Sequence, residues 1–333
     1  MATEKRKIDR KQKVALGGLP QKIHILTEDD SLPVLLFLHG GPGVPSRHSL
    51  KKAHTDLLDT FTLVGWDQRG TGGSYKGVTE ESMTVTQLTD DAAELVGWLC
   101  NEFKKDKIFI IGGSWGSMLG TFLAYRYPEK IAAYVGTGQL VDGSENERLS
   151  YAFAMEEAKK AGNEADVKAL LELGAPVNGL YKGGLKGMLV QRKIMGKYGG
   201  FSPSEKKRNY VGSLAKPIIL SGEYSIGDLY GILMGSRYIL KVMWPEIGGI
   251  DLAKACPEFQ MPYFIFDGRL DNNTPAALVE DYFEKIQAPR KELHWFEHSG
   301  HSAMGDEPEK FKKLLREKLT EVAAAEREQG TRI

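Results

Sequence analysis

Short apolar runs recur along the chain at Val34–Leu38, Phe61–Trp66, Ile108–Ile111, Ala132–Gly136, Tyr263–Phe266 and Leu293–Phe296. Most are β-branched or aromatic-rich and apolar at successive positions, the pattern of strands covered on both faces. Between the second and third runs, Val85, Leu88, Ala92, Leu95, Val96, Leu99 and Phe103 fall on one helical stripe, at offsets 0, 3, 7, 10, 11, 14 and 18. Thr84 followed by Gln87 has the spacing of a capping box at the start of that helix. Buried strands alternating with helices predict an α/β architecture, a mostly parallel sheet with helices on both faces.

The alternation stops after Gln139 and resumes at Met261. From about Val141 to Cys256 the chain shows helical segments broken by glycines. Ser144 followed by Glu147 has the form of one helix start, and Ser202-Pro203-Ser204-Glu205 of another, with proline at the first helical position. A helical block inserted into a strand–helix series predicts a cap of residues 141–256 on a core made of residues 1–140 and 257–333. The Lys/Arg-rich start, Lys5 to Lys13, is expected to be a solvated arm, with residues 1–15 flexible.

Composition narrows the function classes. The 333 residues are 41% hydrophobic and 26% charged, ordinary values for a globular protein. Lys+Arg and Asp+Glu both number 44, and zero net charge argues against nucleic acid or an anionic membrane as partner. The two cysteines, Cys100 and Cys256, cannot make a disulfide framework and have no metal-ligand spacing around them. Cys100 lies in the helical stripe pattern and is expected to be a buried thiol. No apolar run approaches the roughly 18–20 residues of a membrane span, and no signal-peptide pattern opens the chain. A soluble, cytoplasmic protein is expected.

Candidate chemistry begins at Gly112-Gly113-Ser114-Trp115-Gly116, which follows the run Ile108–Ile111 and precedes a helical stretch, Ser117 to Tyr127. G-x-S-x-G between strand and helix is the pattern of a nucleophile elbow, a strained turn that exposes the serine hydroxyl at a helix N-terminus. The alternative is a glycine-rich turn without chemistry. His39-Gly40-Gly41-Pro42-Gly43 follows the run Val34–Leu38, where this architecture supplies one oxyanion-binding backbone N–H. Gly41 and Trp115, the residue after the serine, are assigned that role, with Gly40 as the alternative to Gly41. A phosphate loop would need a Gly-Lys-Ser/Thr ending, which is missing. His39 is expected to brace the loop.

A serine needs a base, and the base a group that orients it, in the order serine, acid, histidine. Only His294, His298 and His301 follow Ser114. His294 lies inside a strand run, and the glycine before His301 favours it over His298 for a sharp return toward the serine. For the acid, the run Tyr263–Phe266 ends in Asp267-Gly268-Arg269-Leu270-Asp271. Asp271 lies past the glycine, in the loop at the strand's C-terminal end, where catalytic groups of open α/β sheets collect. Asp267 and Asp142 are the alternatives.

Together His39–Gly43, Asp67-Gln68-Arg69-Gly70-Thr71-Gly72-Gly73-Ser74, Gly112–Ser117, Gly268–Asp271 and Gly300-His301 resemble the proline iminopeptidases, over about residues 20–140 and 257–318. The resemblance implies an α/β-hydrolase fold, removal of an N-terminal proline, and the same nucleophile, acid and base: Ser114, Asp271 and His301. It also implies cap glutamates that hold the substrate's α-amine. Glu145, Glu147 and Glu223 are the candidates; Glu147 is also the capping-box partner of Ser144, and Glu145 is expected to face solvent. The expected activity is a serine aminopeptidase acting on a small-molecule or short-peptide substrate, without metal or organic cofactor. A carboxylic-ester or related acyl hydrolase is the alternative, and a non-catalytic ligand-binding protein the third. Dehalogenase and epoxide-hydrolase chemistry fails at position 114, where a carboxylate nucleophile would be required.

Overall fold

In the computed structural model, described over residues 6–202 and 216–333, eight strands form one sheet in the order β1-β2-β4-β3-β5-β6-β7-β8. The six apolar runs become β3 (Val34–Leu38), β4 (Thr62–Trp66), β5 (Ile108–Gly113), β6 (Ile131–Thr137), β7 (Tyr263–Gly268) and β8 (Lys291–Phe296). All neighbouring pairs among these six are parallel. Side chains along β3 divide between two cores: Val34, Leu36 and Leu38 enter one, Leu35 and Phe37 the other. That division is the physical reason for the unbroken hydrophobic runs of β3 to β7, which are buried along almost their whole length, whereas the edge strand β8 is only partly buried.

Two strands precede the predicted ones. β1 (Ile8–Leu16) and β2 (Leu19–Thr27) form an antiparallel hairpin turning at Gly17 and Gly18, both with positive φ, and β2 pairs antiparallel with β4. The expectation of a flexible arm over residues 1–15 is therefore corrected for residues 8–15, which belong to β1. Its charges misled because this is an edge strand: Asp9, Lys11 and Lys13 alternate with Ile8 and Val14, and lysine on an edge discourages pairing with other chains.

The predicted stripe forms the helix Val85–Phe103, with Val85, Leu88, Ala92, Leu95, Val96, Leu99 and Phe103 buried. Thr84 caps it by accepting from the Gln87 backbone N–H. The capping box is only half made, because the Gln87 side chain turns to Asp91 instead. Cys100 is buried, and burial pushes its thiol up to about 11.

Between β6 and β7 lie the helices Gly143–Lys160, Glu164–Leu173, Leu185–Lys197 and Ile226–Ile247. The ends of this segment meet: the Gly143 N–H donates to the Ile250 carbonyl at 2.9 Å and the Leu252 N–H to the Val141 carbonyl at 2.9 Å. A segment whose ends lie side by side interrupts the sheet without displacing β7. The expected helix start at Ser144 is corrected, because Asp142 is the N-cap, accepting from the Ser144 and Glu145 N–H groups. The start expected at Ser202–Glu205 lies outside the described residues beyond Ser202.

The long helix Ile226–Ile247 is tied to the core by charge. Arg47, fully buried, grips Asp67 at the end of β4 with Nε 2.9 Å from each carboxylate oxygen, and donates through Nη2 to Asp228 at 2.6 Å. Asp228 in turn closes a capping box with Ser225. No helix among the described residues is long and apolar enough to cross a membrane.

Candidate active site

β5 ends at Gly113 and the helix Trp115–Arg126 begins one residue later, so Ser114 must make the whole turn. It does so at φ 56°, ψ −125°, a region that non-glycine residues enter only when their surroundings hold them there. The glycines of the pentapeptide have unequal reasons. A Cβ on Gly112 would sit 2.1 Å from the Gly116 carbonyl oxygen, and one on Gly116 2.1 Å from that of Leu38. Gly113 has no such contact within 3.4 Å. The Ser114 N–H donates to the Thr137 carbonyl at 3.0 Å, pinning the elbow to the end of β6.

The loop after β3 lies against this elbow. A Cβ on Gly40 would come within 3.1 Å of the Ser114 Cβ. The Gly40, Gly41 and Trp115 N–H groups have no backbone acceptor among the described residues, so all three remain candidate oxyanion donors. His39 is buried, and burial drives its pKa down to about 4 although the Gly40 carbonyl opposes this. The neutral ring donates from Nδ1 to that carbonyl at 2.9 Å and accepts at Nε2 from the Gln68 N–H at 3.2 Å. Gln68 also donates to the His39 carbonyl and accepts from Trp115 Nε1 at 2.9 Å. One glutamine thus fixes the glycine loop to the residue beside the serine, a role the motif did not reveal.

The sheet brings Asp271 and His301 together from adjacent strands β7 and β8. His301 Nδ1 lies 2.8 Å from Asp271 Oδ2. Asp271 is buried and also accepts from the Asn273 N–H at 2.7 Å, the Thr274 N–H at 3.0 Å and the Thr274 hydroxyl at 2.6 Å. Burial lowers the basicity of His301, but the Asp271 carboxylate outweighs it, Asp267 adds to the effect, and the net pKa is raised above 6.5. The Gly138 backbone packs so closely on the ring that a Cβ there would meet His301 Cε1 at 3.0 Å.

The alternatives are engaged elsewhere. His298 is exposed, with its N–H on Glu307, and His294 pairs with Glu292 at 2.7 Å. Asp142 is the helix cap already described. Asp267, fully buried, accepts from the Gly138 N–H at 2.8 Å and the Gln139 N–H at 3.0 Å, and burial together with neighbouring Asp271 raises its pKa.

The glutamates separate sharply. Glu223 pairs with Lys11 at 2.6 Å and lies 3.6 Å from Lys51, so its carboxylate belongs to the hairpin edge of the molecule. It is not an amine-holding group facing Ser114, which corrects that expectation. Glu145 is half exposed and pairs with Arg148. Glu147 is fully buried and is no capping-box partner: Oε1 receives Arg192 and the Asn146 amide, and Oε2 has no hydrogen-bond partner among the described residues. Arg192 lies near enough to His301 for its charge to oppose protonation of the ring. Arg192 carried no signal in the sequence, because only the packing of two helices pairs it with Glu147, 45 residues away. Among the described residues no group of three or more His, Cys, Asp or Glu side chains could hold a metal ion.

This sheet and elbow define the α/β-hydrolase fold, and residues 33–170 match the α/β hydrolase fold family. More particularly, the chain is similar to the proline iminopeptidases and to proteins named as aminopeptidases. It is 29% identical over 318 residues to the probable aminopeptidase YbaC of Bacillus subtilis (strain 168), covering 95% of this chain and 98% of that one. It is 25% identical to the proline iminopeptidase of Clostridioides difficile (strain 630), over 86% of this chain and 89% of that one. Among solved structures, the proline iminopeptidase of Mycobacterium smegmatis superimposes with a TM-score of 0.64 at 18% identity, covering 95% of this chain and 99% of that one.

Proposed function

We propose that this chain is a serine aminopeptidase of proline iminopeptidase type, with Ser114 as nucleophile, His301 as general base and Asp271 as its orienting acid. The contact between His301 Nδ1 and Asp271 Oδ2, beyond the ends of β7 and β8 in the same sheet whose β5 ends at a serine held at positive φ, is the observation that carries this assignment. The Ser114 Oγ bonds to the substrate carbonyl carbon while its proton passes to His301 Nε2. The developing oxyanion is met by the N–H groups of Trp115 and Gly41, or of Gly40 in its place, with the dipole of the helix Trp115–Arg126 behind them. His301 then gives the proton to the leaving amine, whose bond to carbon breaks, and water hydrolyses the acyl-enzyme by the same path in reverse.

Glu147 supports the aminopeptidase form. A buried carboxylate with one oxygen free of partners, at the insertion helix whose Ser150 hydroxyl binds the Asn272 carbonyl of the acid loop, suits a protonated α-amine. Its pairing with Arg192 favours a second form, because a carboxylate already neutralised attracts a cation less. That form is a hydrolase of esters or other acyl compounds, which the same three residues would serve.

One assay separates the two. Aminoacyl-arylamides, proline included, are compared with N-blocked counterparts and with short-chain aryl esters. Turnover that requires the free amine supports the aminopeptidase; ester turnover alone supports the acyl hydrolase; inertness toward all with ligand binding retained would overturn both.

A further inference from the structure

Both nitrogens of His301 are held by one loop. Asp271 takes Nδ1 at 2.8 Å, with the Thr274 hydroxyl 3.1 Å from the same nitrogen, and the Asn273 side-chain amide lies 3.1 Å from Nε2. Nδ1 faces a carboxylate and so carries the proton of the neutral ring. Nε2 then has only a lone pair, and the Asn273 amide meets it as a donor. That lone pair is the one Ser114 needs. No hydrogen bond joins Ser114 Oγ to His301 among the described residues; the amide holds the place.

We propose that Asn273 is a resting-state lock on the catalytic base, occupying His301 Nε2 until the amide swings away and the Ser114 hydroxyl takes its position. The proposal rests on the assignment of Ser114 and His301 made above. The exchange leaves the loop backbone in place. The Asn273 backbone N–H is fixed on Asp271 Oδ1 at 2.7 Å, the Asn272 N–H on the Gly200 carbonyl at 3.1 Å, and the Asn272 carbonyl on the Ser150 hydroxyl at 2.8 Å. With the Thr274 N–H on Asp271 Oδ1 at 3.0 Å the backbone is held on both sides, so the exchange asks only for rotation of the Asn273 side chain about its own χ angles. The charged groups that act on the ring are Asp271 and Asp267 from the β7 end and Arg192 from the helix Leu185–Lys197. Asn273 is uncharged, so its release changes the hydrogen bonding of the ring and leaves the electrostatic setting intact.

The test uses the full chain and an alkyl fluorophosphonate, which forms an Oγ–P bond on serine as fluoride leaves and the serine proton passes to His301 Nε2. In the unmodified enzyme, NMR should show cross-peaks between the Asn273 amide protons and the His301 ring, lost once Ser114 is phosphonylated. In Asn273→Leu the phosphonylation rate should rise roughly 2- to 10-fold, the factor one neutral hydrogen bond represents. The His301 titration midpoint should rise by about half to one unit, because the neutral ring loses a donor. Cross-peaks that are absent at rest or persist in the adduct would overturn the lock, as would unchanged or slower phosphonylation of Asn273→Leu. The NMR comparison decides even if the variant does not fold. Failure of the probe to attach to Ser114 at all would instead count against the hydrolase assignment, and the resting-state cross-peaks would still report on the contact.

Discussion

Asp271 and His301 stand on loops at the ends of two adjacent parallel strands, and the 2.8 Å contact between them exists because β7 and β8 pair in register from Tyr263–Lys291 to Gly268–Phe296. Four donors converge on the Asp271 carboxylate, the ring Nδ1 among them, and that contact places the proton of the neutral ring on Nδ1.

From this contact a pH dependence follows. In the proposed role of general base His301 must be neutral to act, and its pKa is raised above 6.5, so kcat/KM should fall on the acid side of a midpoint above 6.5. Asp271→Asn removes the largest raising influence and should move that midpoint down, while cutting kcat by about 10⁴ through the wrong tautomer. The stability sign is opposite in sense: a raised folded-state pKa stabilises the protein fully below the unfolded value, and that contribution is lost as pH rises through the folded one. A pH–rate profile of both proteins checks the assignment, and an acid limb that does not move in Asp271→Asn would refute it.

Ser114→Ala should lose activity by a factor on the order of 10⁶. The backbone makes a second demand on the same position. At φ 56° a Cβ is strained, so Ser114→Gly should melt as a more stable protein than Ser114→Ala by about 1 kcal/mol. Equal stability of the two variants would show that the elbow is relaxed in solution.

Glu147→Gln should weaken turnover of free-amine substrates by ~2–5 kcal/mol of transition-state stabilisation, as for a truncated buried charge pair. Aryl esters should lose much less, since Ser114, His301 and Asp271 are untouched. Parallel kcat/KM measurements decide; equal losses on both substrate types would remove Glu147 from amine recognition.

Arg47→Met should destabilise the fold by about 3–5 kcal/mol, because it leaves Asp67 and Asp228 buried without their guanidinium. Urea unfolding followed by tryptophan fluorescence measures this. A loss below about 1 kcal/mol would mean that Lys22, 2.6 Å from Asp228, satisfies the site without Arg47.

What the sequence alone determined was whatever local pattern controls. Buried parallel strands must be apolar on both faces, so β3 to β7 were legible as unbroken runs, and the partly buried edge strand β8 by its shorter run Leu293–Phe296; an amphipathic helix shows its stripe, so Val85–Phe103 was legible too. The elbow was readable because Gly112 and Gly116 stand where any side chain would strike a carbonyl. Serine, acid and histidine follow one another in a fixed order of strands, which pointed to Ser114, Asp271 and His301. The edge hairpin was hidden because its strands carry charges that look like a solvated tail. The roles of Gln68, Asn273 and Arg192, and the parting of Glu147 from Glu223, were decided by tertiary structure. Each depends on a partner far away in sequence: Glu147 on Arg192, Glu223 on Lys11, Gln68 on His39 and Trp115, Asn273 on His301. A polar side chain's function is set by what it meets when buried, and its immediate neighbours in sequence do not say what that will be.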